Sequence, residues 1–474
     1  MTLLFLIMSN DGIPGFGNGL SITKCGVGSA DACEEPAPKQ FRPKLVHIAV
    51  ALGYVGTRYS GSQWQAPSAT HPDIRTVEGE IYAAIEAAGI LYGRDIKSIG
   101  WTRCSRTDRS VSAAMAVFSF FCPGHLDLVQ ALQPHLPKDI SIFGTVRVPP
   151  KFSAKMACTS RTYEYMMPLV FLLPSSQEEA SEPCQDVQAF FSYLDSPYSA
   201  ESTETVREAC SRLYTAQRHD ILDFLRLDDE LQKIRTQVRI RASHDSPAVI
   251  FDTMLQPFLQ QLVTTAFLAK IRAYHNFTED NVQPSASSRK ILSCSVSLSA
   301  AFDSQTDTTK DKPAAELYTK VTICGQAFLM YQIRRMMGAL VAVLRGWIPA
   351  SFLYFAFQTR TKHLRISTAP GSYLLLKQPN YEHLLLKKDF TQHGVFVSED
   401  ERIKDLAERF KVENIYPEIV RLHKDIIAEG RVQAILDEME HELCKHGSGW
   451  AQSKTLFCDD IRTQADIVSR TITI

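Results

Sequence analysis

The sequence predicts an α/β (α+β) protein, and three patterns in it carry that prediction. First, residues 45–52 read as a strand, and Ile140, Ile142, Val146 and Val148 keep the two-residue alternation of another. Second, residues 77–90 lie between these strands and place Ile81, Ile85 and Ala88 at helical spacing. Third, residues 291–298 and 317–323 alternate like the arms of a hairpin around a polar loop at 303–312, ahead of a long apolar helix over 327–344.

Taken in order, residues 1–42 are rich in Gly, Ser and Pro, and Glu34-Glu35-Pro36-Ala37-Pro38 marks a linker before ordered structure. The apolar run Leu3 to Met8 has no basic residues before it and is shorter than a signal-peptide core or a membrane span. It reads as a disordered or spurious N-terminus, with Met8 as an alternative start. After the first strand, Tyr54 to Tyr59 form a loop of aromatic and basic side chains. Thr76 is the expected N-cap of the first helix, with Glu78 and Glu80 in its first turn.

The polar stretch 101–109 then abuts a small, apolar run at 111–121, the pattern of a loop beside a buried strand. In the strand at 161–167, Tyr163, Tyr165 and Met167 share one face. Residues 174–250 turn polar and read as an insertion with some helix, in which Lys233, Arg235, Arg239 and Arg241 form either an RNA-facing stretch or a solvated helix face. Residues 249–274 are expected to be helical. In the apolar helix Ile333, Met336, Met337, Leu340 and Leu344 recur at core spacing, residues 373–376 make a short strand, and two charged amphipathic helices follow residue 400. The expected divisions are a disordered segment at 1–42, a catalytic half at 43–173, the insertion at 174–250, a second half at 251–390 and a helical extension at 391–474.

At 474 residues, 45% hydrophobic and 22% charged, the chain is long enough for two or three cores. Its 51 Lys and Arg balance 52 Asp and Glu, so contact with a nucleic acid has to rest on local basic patches. The 11 cysteines are scattered, with no Cys-x-x-Cys pair and no zinc-ligand spacing, which favours reduced thiols and no metal. No Ser/His/Asp set, phosphate-cradling Gly loop or dinucleotide fingerprint supports a hydrolase, kinase or dehydrogenase. His275 reads as a structural hydrogen bonder.

Asp108 stands between Arg106 and Arg109 in Cys104-Ser105-Arg106-Thr107-Asp108-Arg109, and a nearby opposite charge favours its ionised form. That suits a nucleophile, although Arg-Thr-Asp alone is also an ordinary surface ion pair. Arg334 shares one side of an apolar helix with Met337, Gly338 and Val341. It either snorkels to water or pairs with a buried acid such as Asp108. Tyr163 is either a core aromatic or a ring that stacks on a base.

The run Cys104-Ser105-Arg106-Thr107-Asp108-Arg109-Ser110-Val111-Ser112-Ala113-Ala114 resembles the nucleophile motif of TruA-type pseudouridine synthases. The resemblance continues in order through Tyr54-Val55-Gly56-Thr57-Arg58-Tyr59-Ser60-Gly61, Thr76-Val77-Glu78, His135-Leu136-Pro137, Phe152-Ser153-Ala154-Lys155 and Ser160-Arg161-Thr162-Tyr163-Glu164-Tyr165. Beyond the insertion it resumes at His275-Asn276-Phe277-Thr278, Pro284-Ser285-Ala286, the run from Gly325 to Gly338, and Ala369-Pro370-Gly371. His275-Asn276-Phe277-Thr278 and Asn414-Ile415-Tyr416-Pro417 resemble the eukaryotic tRNA pseudouridine synthase 1 group.

This resemblance implies two ferredoxin-like halves joined in one bent, mainly antiparallel sheet flanked by helices, with an RNA-binding cleft. It implies that Asp108 is the nucleophile, that Arg106 holds a flipped nucleotide, that Tyr163 stacks on the uracil and joins in proton transfer, and that Arg334 pairs with Asp108. Tyr54, Arg58, Thr107, Arg109, Lys155, Arg161, Phe328, Gln332 and Arg335 are the implied RNA contacts. No cofactor is implied. The expected substrate is tRNA, at stem uridines near the anticodon, with other structured RNAs as further substrates. The expected state is a monomer without membrane association, in the nucleus or also the mitochondrion or cytoplasm.

Two departures stand out. Ser110 replaces the family's usual glycine, which predicts loop strain, and Met115-Ala116 replace a Gly-Gln pair, which predicts crowding of the loop. Two other readings stay open: a catalytically weak RNA-binding or RNA-folding protein on the same scaffold, and a synthase for anticodon-loop-side uridines.

Overall fold

A nearly continuous apolar run forms β1 (Leu45–Tyr54), buried at nearly every position and therefore covered on both faces. A computed structural model describes residues 43–66, 69, 73–91, 96–173, 204–268, 271–300, 316–358, 364, 366–387 and 394–444. The expected disordered segment, its linker, and the polar loop at 303–312 lie outside these residues, as does the first part of the insertion.

After β1 come α1 (Val77–Ala87), β2 (Thr102–Arg103), β3 (Ser112–Pro123), α2 (Leu128–Leu132), β4 (Ile140–Arg147) and β5 (Ser160–Pro168). Thr76 caps α1 as expected, its side chain accepting the Gly79 N–H at 3.1 Å. The insertion contributes α3 (Glu204–Arg241), a single helix of 38 residues. Within its basic stretch Arg235 donates to the Val343 and Leu344 carbonyls, whereas Lys233 and Arg239 are exposed and Arg241, partly exposed, pairs with Asp245.

The helical span expected over 249–274 is shorter and interrupted. It runs through α4 (Pro247–Ile250), a π-helical turn (Phe251–Leu255) and α5 (Gln256–Phe267), after which Leu268 turns extended. The next residues form β6 (Ile271–Ala273), whose backbone groups pair with the neighbouring strand β7 (Ser288–Ala300). β7 and β8 (Leu317–Gly325) are antiparallel partners, as their alternation predicted.

The apolar helix α6 (Gln332–Arg345) starts five residues later than its hydrophobic pattern suggests, because Tyr331 is left-handed at φ 60° and stops the spiral there. Its end is set by Gly346 at φ 85°, where the Gly346 and Trp347 N–H groups reach back to the Val343 and Ala342 carbonyls. The sequence pattern did not anticipate α7 (Ser351–Gln358). Tyr373 belongs to a turn before β9 (Leu374–Asn380), which is longer than the strand expected at 373–376. Past residue 400 the two expected amphipathic rods appear. One is α8 (Glu401–Phe410), continuous through a π turn (Lys411–Ile415) with α9 (Tyr416–Ala428), and the other is α10 (Val432–Cys444).

The nine strands form one mainly antiparallel sheet in the order β4-β1-β3-β9-β5-β8-β7-β6, with β2 on β3. β3 and β9 are the parallel pair, joined over Ser112↔Leu375 and Ala113↔Leu376. β5 sits between β9 and β8, so a strand from the early part of the chain completes the sheet built by the late part. Helices flank the sheet: α5 packs on β7, and α8 on β1, β3 and β4. Gly53 and Gly144 make the α8 contact possible, since a Cβ on either would lie 2.7 Å from Phe410 or 2.6 Å from Ile403. Among the described residues no helix is long and apolar enough to cross a membrane.

Candidate active site

The loop that carries Asp108 leaves the β2–β3 ladder after Cys104, whose N–H still bonds the Val117 carbonyl at 2.8 Å. It returns to the sheet at Ser112. The excursion is tied down on one side by residues 54–62. The Thr107 N–H donates to Ser62 Oγ at 2.9 Å, the Ser62 N–H to the Thr107 carbonyl at 3.1 Å, and the Ser110 N–H to the Tyr59 carbonyl at 3.1 Å. Tyr54 Oη and Thr107 Oγ1 share a buried hydrogen bond of 2.8 Å. On the other side Gly371 abuts the loop so closely that a Cβ there would lie 2.7 Å from the Arg109 carbonyl. With its neighbours held, Asp108 faces a cavity of about 310 Å³.

Eight of the expected site residues line that cavity: Arg106, Thr107, Asp108, Arg109, Tyr163, Phe328, Gln332 and Arg334. Tyr163 comes from β5, and its hydroxyl shares a 2.8 Å hydrogen bond with Ser105 Oγ. Phe328 meets the Tyr163 ring edge to face at 5.3 Å. Gln332 is buried at the start of α6, its Oε1 accepting the Leu329 N–H at 2.9 Å. Arg106 is exposed and reaches Gln63 Oε1 at 3.4 Å.

The other five expected contacts lie elsewhere. Tyr54 is fully buried beneath the loop, so it supports Thr107 and cannot touch RNA. Arg161 directs its guanidinium at the carbonyls of Cys104, Lys155, Cys158 and Gln326, an arrangement that clamps the Asp108 loop to β5 and leaves no nitrogen for phosphate. Arg335 is buried on Glu279. Arg58 and Lys155 are exposed but off the cavity wall, with Arg58 3.7 Å from Asp139.

The electrostatics of Asp108 differ from the sequence expectation. Burial pushes its carboxyl above the ordinary aspartate range, against the Arg334 and Arg106 charges and the Tyr331 peptide N–H, which pull it down. Of these two arginines Arg334 contributes more than Arg106, the sequence neighbour. Arg334 acts across the cavity: among the described residues no contact within 4.0 Å joins it to Asp108. Its Nε instead donates to the Ala369 carbonyl at 2.8 Å. Burial also drives the Tyr163 hydroxyl far up, so the phenol keeps its proton.

The departures from the family pattern separate clearly. Ser110 is left-handed at φ 65°, the conformation for which a glycine is best suited. Met115 is buried within β3 and is not among the residues that line the cavity.

Three features escaped the sequence reading. Gln63 and Gln65 form a wall of the cavity, one turn of chain past the resembling run that ends at Gly61. Tyr331 lines it as well. Glu78, expected in the first turn of α1, is buried and gathers the Trp64 N–H, Trp101 Nε1 and the Arg103 guanidinium, anchoring the glutamine wall to α1. Only the Thr76-Val77-Glu78 run signalled it. Among the described residues no group of three or more His, Cys, Asp or Glu side chains is placed to hold a metal ion.

Known proteins share much of this chain. The tRNA pseudouridine synthase family matches residues 272–382, which include α6 and Arg334. The chain is 26% identical over 424 residues to tRNA pseudouridine synthase 1 of Candida albicans, covering 81% of this chain and 65% of that one. It is 26% identical over 374 residues to tRNA pseudouridine synthase 1 of Saccharomyces cerevisiae, covering 73% and 63%. With pseudouridylate synthase 1 homolog of Homo sapiens it shares 24% over 383 residues, covering 80% and 70%. The chain thus spans less than two thirds of the length of the two yeast relatives.

Proposed function

We propose that this chain, which carries a TruA-type pseudouridine synthase domain, is an enzyme that isomerises uridine to pseudouridine in tRNA. The observation that carries the reading is the cavity, where Asp108, Arg106, Tyr163 and Arg334 converge from distant parts of the chain. Its volume suits one nucleobase with its sugar, and a uridine has to leave its stack to enter it, at a cost of a few kcal/mol.

Asp108 is the nucleophile, attacking either the uracil ring or the sugar carbon so that the N1–C1′ bond breaks. The uracil rotates and C1′ bonds to C5 while the bond to Asp108 breaks and frees its carboxylate, C5 losing a proton and N1 gaining one, so the reaction is a balanced isomerisation. Arg334 and Arg106 hold the carboxylate charge that burial opposes. Arg106, exposed at the mouth, takes the flipped nucleotide's phosphate. Tyr163 stacks on the uracil and, remaining protonated, moves a proton only through its bond with Ser105.

The sheet is read as two ferredoxin-like halves meeting at the β3–β9 pair, with the RNA stem in the cleft above that seam. The target is placed in the anticodon-stem region, other structured RNAs are further substrates, and the protein acts in the nucleus as a monomer. These assignments rest on the sequence resemblance.

The test is to incubate the protein with unmodified tRNA transcripts and map pseudouridine by carbodiimide treatment and primer extension, with Asp108→Asn alongside. Wild type is expected to modify anticodon-stem uridines, and Asp108→Asn to lose activity by a factor on the order of 10⁴ or more. RNA binding without product from the wild type would establish the alternative, an RNA-binding protein on this scaffold. Equal product from both proteins would remove Asp108 as nucleophile.

A further inference from the structure

Tyr331 adopts φ 60° and ψ 2°, a left-handed conformation that bulky side chains rarely take and that glycine or asparagine adopts readily. Such strain persists only where the surroundings dictate it, and it gathers at functional sites. Here the surroundings are explicit. The Tyr331 carbonyl accepts the Arg335 N–H at 2.9 Å and so begins α6, while its own N–H faces the Asp108 carboxylate. The left-handed turn therefore aims the start of the helix at the nucleophile.

The side chain has a separate task. The Arg334 guanidinium lies over the Tyr331 ring, 4.9 Å from its centroid. Among the described residues the one hydrogen bond of that guanidinium is Nε to the Ala369 carbonyl, at 2.8 Å. A single bond at Nε leaves the terminal nitrogens free to swing, and the ring removes that freedom. A Cβ on Gly371 would lie 3.6 Å from Arg334 Cζ, so the strap through Ala369 and Gly371 closes the other side.

We infer that Tyr331 is a positioning residue of this site, its ring fixing the plane of the Arg334 guanidinium opposite Asp108. The inference rests on the pseudouridine synthase reading above. It explains why a strained tyrosine occupies a place where glycine would fit without strain.

The test is steady-state kinetics on a tRNA transcript with Tyr331→Gly, Tyr331→Asn and Tyr331→Phe, each checked by thermal melting. Glycine and asparagine keep the backbone turn and remove the ring, so both are expected to fold with melting points at or above wild type. Their kcat should fall about tenfold, the size of a well-placed cation–π contact, with KM changed less than about twofold. Tyr331→Phe, which keeps the ring, should recover most of kcat.

Wild-type kcat in the glycine and asparagine variants would overturn the inference, as would a loss in KM alone, which would make the ring an RNA contact. A phenylalanine variant as slow as glycine would overturn it too, by assigning the role to the hydroxyl. An inactive wild type would instead bring down the function reading, and that outcome is distinct from all of these.

Discussion

Ser110 shows what one side chain can cost at a tightly held turn. At φ 65° it occupies a region where an L-residue pays roughly 1–2 kcal/mol, two positions beyond Asp108 and pinned by the Tyr59 carbonyl. Ser110→Gly is expected to raise stability by about 0.5–1 kcal/mol after its unfolded-state entropy is counted, and Ser110→Val to lower it by about 1–2 kcal/mol. Urea unfolding of the pair measures both; a flat series would mean that the turn relaxes freely. The strain at Ser110 was legible from the missing glycine. The matching strain at Tyr331 was not, because a tyrosine inside an apolar helical pattern carries no signal that the helix stops there. Arg161 and Arg335 misled for a related reason: sequence shows an arginine's charge but not whether carbonyls or Glu279 already hold it.

Elements meet through a few buried polar groups, and α3 supplies the clearest case. Its Asp228 carboxylate accepts the Ala350 and Ser351 N–H groups and so caps α7, while Arg235, two turns on, donates to the last carbonyls of α6. Burial nevertheless raises the Asp228 carboxyl to about 6, in spite of these bonds. The folded state therefore binds this proton more tightly than the unfolded chain, whose value is about 3.9. The stability it contributes is full below about pH 4 and is lost as pH rises through about 6, a change of about 3 kcal/mol. Asp228→Asn keeps an acceptor without titrating, so its thermal melts should lack this slope between pH 4 and 6; an unchanged slope would assign it to other groups. The sequence marked the basic stretch containing Arg235 and left two readings of it. Packing splits the stretch: Lys233 and Arg239 lie on a solvated helix face, while Arg235 turns inward to a helix end.

Across the whole molecule, the C-terminal helices are built into the sheet through Glu164, the neighbour of Tyr163. Its buried carboxylate meets Lys377 at 2.9 Å, Lys411 at 3.4 Å and the Tyr416 hydroxyl at 2.8 Å. Burial pushes the Glu164 carboxyl up, but Lys411, Lys377 and Tyr416 together outweigh it and leave it below the usual range. Glu164→Gln would leave Lys411 buried with only exposed Glu408 as a carboxylate partner, so it is expected to destabilise by about 3 kcal/mol and to loosen α8 and α9 to limited proteolysis. Wild-type stability in that variant would show that apolar packing alone docks the helices. In the sequence Glu164 is one residue of the Ser160-to-Tyr165 run, and Lys411 is one lysine in a charged amphipathic stretch past residue 400. Strand parity, helix spacing and the Asp108 run were determined by the sequence itself, because each is a local pattern of side chains along one element. Which arginine faces the cavity, where α6 begins, and how burial acts on Asp108 were decided only by the tertiary structure. These depend on partners brought from distant segments and on water excluded between them, and neither is written in any one stretch of chain.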